Sequence, residues 1–291
     1  MSNSKHRKVK ALLYAQQFPM GKIHVRQPFP SRFIEYPDPF ILLHHAVIDI
    51  HSDADLRNEG VGPHPHRGFS PVTFIFEGAV HHRDSLGNSS VIEKGGVQWI
   101  NAGRGIMHSE RPPANIHSIG SRQEIIQLWV NTPAKDKMKA AEYHPYTAAQ
   151  IPSLQSADGK CTVAVAAGEV METKGPIQQS FALNAAFVYG TEGGKLEATF
   201  PESLTVIFYL LEGEIEIADY GFVEQHNALL FDNSEQAIEI IFKTKVKGFL
   251  LAGQSLNEPI AAHGPFVMNT ETEIMQAFRD YQMGKMGVLI E

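Results

Sequence analysis

The sequence lacks several features that would assign it quickly to a class of protein. Only one cysteine, Cys161, occurs among the 291 residues, so no disulfide can form within the chain and the sequence fits a reducing cytoplasm. No apolar run reaches the roughly 20 residues of a membrane-spanning helix, because the longest, such as LTVIFYLLEG, have the length of strands. The N-terminal segment likewise has no apolar stretch of signal-peptide length. We therefore expect a cytoplasmic protein without membrane contact.

Clustered basic charge is also scarce. The formal net charge is −7, whereas a duplex-binding surface needs clustered lysine and arginine to neutralise phosphates. The basic cluster from Lys5 to Lys10 is interpreted as a solvated tail rather than a nucleic-acid arm. No direct nucleic-acid partner is expected.

Familiar catalytic motifs are missing as well. The chain has neither a G-x-S-x-G motif nor a P-loop, and no alternation of strands and helices that would predict a Rossmann or TIM architecture. Cys161 lies in the strand-like segment CTVAVAA with no histidine close in sequence, so we interpret it as buried and inert.

Short strands separated by turns are what the sequence does contain. Segments such as FILLHHAVI, VTFIFEG and EIIQLWV are rich in β-branched and aromatic residues, and segments such as DSLGN and TEGG punctuate them. This pattern predicts an all-β fold, an antiparallel sandwich or barrel.

One helix is predicted near the C-terminus. Thr270 and Glu273 can form a capping box, and Gly284 supplies a stop. Between them, apolar residues at helical spacing form a face that is expected to dock on the protein: Ile274, Ala277, Phe278 and Tyr281.

A weak internal repeat suggests two similar halves. TFIFEGAV, residues 73–80, resembles FYLLEGEI, residues 208–215, with a Glu-Gly pair at the same point of each. A polar segment, NTPAKDKMKAAEYHPYT, lies between the halves. We predict a first domain at 1–135, a linker at 136–150, and a second domain at 151–291 that includes the terminal helix.

Two pairs of polar residues have the spacing of metal ligands. His64 and His66 alternate in GPHPHRGFS, and His108 and Glu110 alternate in NAGRGIMHSERP, where GRG is interpreted as a tight turn. Residues two apart in a strand point to the same face. About 40 residues separate the pairs, enough for three or four strands, so a barrel can bring the second pair opposite the first.

Three imidazoles and one carboxylate suit a transition metal. This donor set fits Fe, Mn, Co, Ni, Cu or Zn, and the absence of thiolate excludes soft-metal and closed structural zinc sites. Four protein ligands on an octahedral ion leave two positions, which permits a substrate oxygen and O2 to bind together. The ligand types alone do not determine which of these metals is bound.

The other histidines are weighed against the same site. His44 with His45, and His81 with His82, are adjacent pairs, so at most one member of each can face inward. That member would be an outer hydrogen-bond partner of the ligands or a packed side chain. Three isolated histidines are interpreted as structural or exposed: His144, His226 and His263.

Four segments together resemble the pirin family of the cupin superfamily: PHPHRGF, QWINAGRGIMHSE, IQLWVNTPAKDKM and GPFVMNTETEI. The resemblance implies two antiparallel cupin β-barrels, a bicupin, with a C-terminal helix. It also implies an Fe(II) site in the first barrel, with other divalent metals sometimes found, and a metal-free second barrel in which Thr199 and Pro201 take the places of the first histidine pair. The implied ligands are His64, His66, His108 and Glu110.

Two departures from the family pattern concern the cavity. Ser70 and Pro71 stand where cupins commonly carry a glutamate after the histidine pair. After DPFILL, the chain has His44, His45 and Ala46 where many relatives carry acidic and aromatic residues. The ligand set is expected to survive both changes, while the lining of the cavity differs.

The resemblance implies an activity like that of quercetin 2,3-dioxygenase, with Glu110 accepting the proton of a flavonol hydroxyl. Four apolar residues are candidates to hold the flat ring, each weighed against plain core packing: Phe33, Phe69, Trp99 and Met107. The alternative is a non-enzymatic, redox-sensitive regulator that binds a protein partner. A third reading is a barrel that keeps its metal for stability alone.

Overall fold

Short strands account for most of the chain in a computed structural model that describes residues 6–21, 23–53, 55–114 and 121–291. The strands before residue 150 are β1 (Val9–Tyr14), β2 (Gln16–Met20), β3 (Ile23–Phe29), β4 (Phe40–Ile50), β5 (Val61–His66), β6 (Phe69–Glu77), β7 (Ala79–Asp84), β8 (Ser89–Glu93), β9 (Val97–Asn101), β10 (Ile106–Arg111), β11 (Ser121–Asn131) and β12 (Glu142–Tyr146). Short 3-10 turns lie at Leu56–Asn58 and Ala148–Gln150.

The later strands end in a helix. They are β13 (Ser153–Gln155), β14 (Cys161–Ala167), β15 (Glu169–Val170), β16 (Thr173–Lys174), β17 (Leu183–Gly190), β18 (Lys195–Thr199), β19 (Leu204–Glu212), β20 (Glu214–Ile217), β21 (Gly221–Glu224), β22 (Asn227–Phe231), β23 (Ala237–Phe242), β24 (Val246–Gln254), β25 (Ala261–His263) and β26 (Phe266–Met268). The helix α1 spans Glu271–Gln282.

Two pairs of antiparallel sheets form two cupins. The first pairs a seven-stranded sheet, in the order β12-β9-β6-β11-β4-β3-β2, with a four-stranded sheet, β5-β10-β7-β8. The second pairs β1-β22-β19-β24-β17-β14-β13 with β18-β23-β20-β21. The predicted all-β bicupin with a C-terminal helix is confirmed, although each cupin is a jelly-roll-like pair of sheets rather than a closed barrel.

The internal repeat has a structural counterpart. β6 and β19 both end at the glutamate of a Glu-Gly pair, and the glycines that follow, Gly78 and Gly213, have φ angles of +76° and +98°. A side chain is strained in that conformation, so glycine makes both turns. The interior of the second cupin is filled by apolar side chains, among them Leu196, Ile238 and Ile240.

The chain divides into two compact units that are not contiguous in sequence. One unit comprises residues 18–25, 40–148 and 256–291, and the other comprises the described part of 1–17 with 26–39 and 149–255. The change near residue 148 lies at the end of the linker predicted at 136–150. The terminal segment, expected with the second half, instead belongs to the unit of the first, because its apolar residues pack on Met107.

The helix α1 begins as the sequence predicts. Thr270 accepts a hydrogen bond from the backbone of Glu273, whose side chain returns to the cap. Ile274 and Ala277 are buried as expected. Tyr281, in contrast, is 41% exposed, and the neighbouring Asp280 is buried instead. Within the described residues, no helix combines the length and apolar character that crossing a membrane requires.

Candidate metal centre

The two candidate ligand pairs lie on neighbouring strands. β5 and β10 are antiparallel, with His64 directly across from His108 and His66 across from Ile106. The predicted three or four strands do intervene in sequence, as β6 to β9. The second pair, however, reaches the first from the adjacent strand of the same sheet and not from across a barrel.

Three imidazoles meet on one face of this sheet. One ring nitrogen from each of His64, His66 and His108 lies within 4.8 Å of the others. The ring centroids are separated by 4.7 Å between His64 and His66, 4.3 Å between His64 and His108, and 4.9 Å between His66 and His108. His66 and His108 are buried, whereas His64 is half-buried and marks the open side.

Glycine turns set the ends of both ligand strands. Gly68 has a φ of +84°, and a Cβ there would come within 2.1 Å of the carbonyl oxygen of Val267. Gly105, just before β10, has a φ of +133° and would press a Cβ against Met286 at 2.5 Å. The sequence GRG therefore makes the tight turn it predicts, and both turns depend on close contact with the terminal segment.

Backbone carbonyls orient two of the rings. The Nδ1–H of His64 donates to Gly62 O at 2.8 Å, and that of His66 donates to Pro265 O at 3.3 Å. Because these bonds occupy Nδ1, the Nε2 atoms are left unprotonated and free to bind a metal.

Unpartnered nitrogens test the fit of a metal. Among the described residues, Nε2 of His66 and both ring nitrogens of His108 are buried without a hydrogen-bond partner. A buried polar atom without a partner costs about 1–3 kcal/mol, so such atoms in one place call for a ligand. Neutral imidazole nitrogens are ligands for divalent transition metals, and the cluster fits such an ion.

Burial also keeps the rings neutral. Desolvation lowers the pKa of His66 and His108 well below the ordinary histidine value of 6.5, and the neighbouring imidazoles lower it further. Desolvation lowers the pKa of His64 too, although the Gly62 carbonyl and the charge of Glu110 oppose it. Metal binding requires the neutral form, which these environments favour.

Glu110 lies outside the group of three nitrogens and is held by its own donors. Oε1 accepts hydrogen bonds from Thr73 Oγ1 at 2.6 Å and Gln98 Nε2 at 3.3 Å, and Oε2 accepts one from Gln127 Nε2 at 2.9 Å. The pairing of β10 with β5 shifts after His108, so that Glu110 lies across from Val61. The carboxylate thus sits beside the histidine cluster in a fixed orientation.

A further histidine borders the site. His82 is fully buried, with its ring centroid 5.5 Å from that of His108 and its ring stacked on Tyr143 at 3.8 Å. Its Nε2–H donates to Asp84 Oδ2 at 3.1 Å, while Nδ1 has no partner among the described residues. His81 points to the other face and meets Ser89, so one member of the pair faces inward, as strand alternation predicts.

The other adjacent pair behaves differently. His44 and His45 are both buried, at 9% and 2% exposure, on opposite faces of β4. His44 packs edge-on against Phe18, and His45 contacts Glu124 Oε1 at 3.2 Å. Desolvation lowers the pKa of His44 to about 4. His44 lies directly across from Gln127 in the pairing of β4 with β11. Its side chain therefore points to the same face of the sheet as Gln127, which donates a hydrogen bond to Glu110.

The aromatic wall of the site includes one residue that sequence reasoning missed. Trp129 is half-buried, with its ring centroid 5.5 Å from His66 and 4.3 Å from Phe69. Phe69 also packs edge-on against His66 at 5.1 Å, but it is fully buried, so it contacts a ligand of the site from within the core.

The other three ring candidates do not line this wall. Phe33 is 72% exposed in the other compact unit. Trp99 is fully buried and adjacent to Gln98, so it occupies the opposite face of β9, where its Nε1–H donates to Asn101. Met107 belongs to the apolar cluster under the terminal segment. Core packing is the interpretation that Trp99 and Met107 support, whereas Phe33 is an exposed side chain.

The isolated polar residues have local roles. His144 is exposed beside Glu142, His226 has a φ of +66° in a turn, and His263 packs edge-on against Phe278. Burial raises the pKa of the Cys161 thiol to about 11, which agrees with an inert cysteine.

A second group of metal-type donors lies in the other unit: His6, Glu197 and Glu239. Lys195 Nζ already binds the two carboxylates, at 2.6 and 3.0 Å. An ammonium group in that position takes the place that a cation would need.

These sheets and the histidine cluster define a cupin, and comparison with known proteins identifies the branch. A family model described as Pirin matches residues 22–130, and one described as Pirin C-terminal cupin domain matches residues 188–287. The chain belongs to the pirin family.

Three relatives illustrate the similarity. A pirin-like protein of Solanum lycopersicum is 34% identical over 282 residues, which are 96% of this chain and 91% of that protein. A crystal structure of quercetin 2,3-dioxygenase from Acinetobacter baumannii is 32% identical and superposes with a TM-score of 0.91, covering 98% of this chain and all of that one. The Escherichia coli pirin YhhW, solved with nickel(II), has 18% identity, a TM-score of 0.64, and coverage of 84% of this chain and 99% of that one.

Proposed function

We propose that this chain is a metal-dependent oxygenase that acts on a flavonol or a related phenolic compound. Fe(II) is held by His64, His66 and His108, and Glu110 supplies the carboxylate of the set. The observation that carries the proposal is the meeting of three imidazoles, two with buried nitrogens that lack a partner in the described chain. Similarity to the Acinetobacter baumannii quercetin 2,3-dioxygenase over nearly the whole chain supports the reaction class.

The metal would supply two things to the reaction: Lewis acidity toward a phenol oxygen and a redox partner for O2. The imidazoles are the ligand type that Fe(II) oxygenases share with Mn, Co, Ni, Cu and Zn sites. Fe(II) is chosen because the proposed reaction consumes O2. The nickel(II) in the Escherichia coli pirin makes the choice of metal an explicit arm of the test.

The residues of the chain would bind and deprotonate the substrate. Glu110 accepts the proton of the reacting hydroxyl, because its charge acts on His64 and its oxygens are held in fixed positions by Thr73, Gln98 and Gln127. Trp129, half-buried beside His66, offers an apolar face to a flat ring. A small aromatic substrate is therefore the proposed partner, and a cytoplasmic location without nucleic-acid contact stays a prediction.

The experiment compares metals on one protein preparation. Metal-free protein is reconstituted without oxygen with Fe(II) or Ni(II), then mixed with quercetin in air-saturated buffer. We expect O2 uptake in step with loss of flavonol absorbance for the Fe(II) protein, and neither for His108→Ala.

Stoichiometric Fe(II) binding without O2 uptake, across quercetin and related phenolics, would overturn the oxygenase proposal. That result would favour the alternative, a regulator whose binding of a protein partner depends on the metal. Pull-down of partners with and without metal then separates such a regulator from a protein that keeps the ion for stability.

A further inference from the structure

We propose that the outer face of the four-stranded sheet carries an oxyanion site, distinct from the metal centre on the inner face. In this site Arg57, Arg83 and Arg111 bind a small polyvalent oxyanion, a dicarboxylate or a phosphate, in exchange with the side chain of Glu291. The proposal does not depend on the metal or on the oxygenase reaction.

Strand alternation places the site. Ser109 lies between His108 and Glu110 on β10, so its side chain points to the opposite face from theirs. In the pairing of β10 with β7, Ser109 is across from Arg83 and Arg111 is across from His81. These four side chains therefore share the outer face, where Arg83, Arg111 and His81 line a cavity of about 210 Å³.

A carboxylate already occupies part of this cavity. Arg111 Nε donates to Glu291 Oε2 at 2.7 Å, and Ser109 Oγ donates to Glu291 Oε1. The Glu291 side chain is only 14% exposed. Burial alone would raise its pKa, but the bonds from Ser109 and Arg111 and the charge of Arg83 outweigh that effect and hold the pKa below its ordinary value. The cavity thus has the donors and the field that bind an ionised oxyanion.

The cavity contains more positive charge than the Glu291 carboxylate can neutralise. Arg57 and Arg83 also line it, and within the described chain no acidic side chain forms an ion pair with either guanidinium group. Arg111 is fixed from behind, since its Nη1 donates to the carbonyl of Glu59 at 2.8 Å. A guanidinium group is suited to binding two oxygens of one anion. Of the three arginines that line the cavity, only Arg111 forms an ion pair with the Glu291 carboxylate.

A covalently tethered carboxylate competes with any free anion. An external ligand that reaches Arg57 and Arg83 as well as Arg111 makes contacts that Glu291 does not, which is why a polyvalent anion is expected to displace it.

The test measures anion binding on the full, metal-free chain by calorimetry at low ionic strength. Succinate and inorganic phosphate are the probes, in separate titrations, and chloride is the control for general screening. We expect saturable binding of at least one probe. Glu291→Gln should bind it more tightly, because the internal competitor loses its charge, and Arg83→Gln should bind it about tenfold more weakly, the loss of one charge-assisted contact.

Arg122→Gln is the matched control, because Arg122 is an exposed arginine on β11 that does not line the cavity. Its affinity should equal that of the unaltered chain. Equal weakening in Arg122→Gln and Arg83→Gln would mean general charge screening and would overturn the site. Absence of saturable binding in Glu291→Gln would overturn it too, whether or not the arginine variants fold. The succinate and phosphate arms tell the two ligand sources apart.

Discussion

Gln127 Nε2 donates a 2.9 Å hydrogen bond to Glu110 Oε2, which fixes the carboxylate that we propose as proton acceptor. Gln127 should therefore be a positioning residue. In Gln127→Leu we expect kcat for quercetin to fall by about tenfold to a hundredfold, because the carboxylate loses its orientation, while KM and metal content change little.

The control for that variant lies in the same strand. Gln123 is buried and donates to the carbonyl of Ala79 rather than to Glu110. Gln123→Leu should lower stability without this loss of kcat. If both variants lose kcat equally, Gln127 acts through the fold and not through Glu110.

His82 should hold His108 in place. His82→Phe keeps a ring to stack on Tyr143 but removes the nitrogen that binds Asp84. His82 contacts His108 through its ring and makes no hydrogen bond to it. Because the bond to Asp84 fixes that ring, we expect its loss to raise the metal dissociation constant, measured by competition with a coloured chelator, by about tenfold, the lower end of the range for residues that surround the ligands. His81→Phe, on the exposed side of the same strand, should leave the constant unchanged; a similar rise in both variants would contradict the assignment.

The buried ion pair between Arg67 and Asp280 should join the ligand strand to helix α1. Arg67 Nη1 lies 2.9 Å from Asp280 Oδ2, with side chains 4% and 10% exposed. Asp280→Ala is expected to lower the free energy of unfolding by about 3 kcal/mol, because it leaves a guanidinium buried without its partner. Urea unfolding at neutral pH measures this loss.

The same pair predicts a pH dependence. Hydrogen bonds from Lys285 and Arg67 lower the pKa of Asp280 to about 2, from an ordinary value of 3.8. Its contribution to stability is therefore complete above pH 3.8 and is lost as pH falls toward 2. The stability difference between the unaltered chain and Asp280→Ala should narrow over that interval, and a constant difference would contradict the pairing.

His44 should make the chain sensitive to mild acid. Burial lowers the pKa of His44 from 6.5 to about 4. Between pH 6.5 and pH 4, His44 is therefore protonated in the unfolded state and neutral in the folded state. As pH decreases through this interval, the free energy of unfolding should therefore decrease by about 1.4 kcal/mol per pH unit from this residue alone. His44→Gln should reduce the slope by that amount in urea unfolding of metal-free protein, and an unchanged slope would contradict the burial argument.

The local parts of the site could be predicted from sequence. His64 with His66 follows strand spacing, and the adjacent pair His81 and His82 divides between two faces as alternation requires. The capping box at Thr270 is likewise a short-range pattern that the structure reproduces.

Long-range features left no signal in the sequence. Asp280 lies 213 residues from Arg67, and its polar side chain within an apolar helix face looks like an exposed position. Burial does alternate along β11, because Leu128 and Val130 are buried while Trp129 is half-buried. The sequence hides this alternation, because Leu128, Trp129 and Val130 are consecutive apolar residues, so their residue types do not reveal which face meets the site. The unit to which the terminal segment belongs is likewise decided by contacts between residues far apart in sequence, such as those of its apolar residues with Met107.

Anomalous diffraction from crystals grown with Fe(II), measured on both sides of the iron edge, tests the central claim most directly. We predict one iron peak about 2.0–2.2 Å from a ring nitrogen of each of His64, His66 and His108, with the peak absent in His108→Ala. An iron peak elsewhere, or three imidazoles that remain metal-free in crystals with stoichiometric iron, would contradict the account.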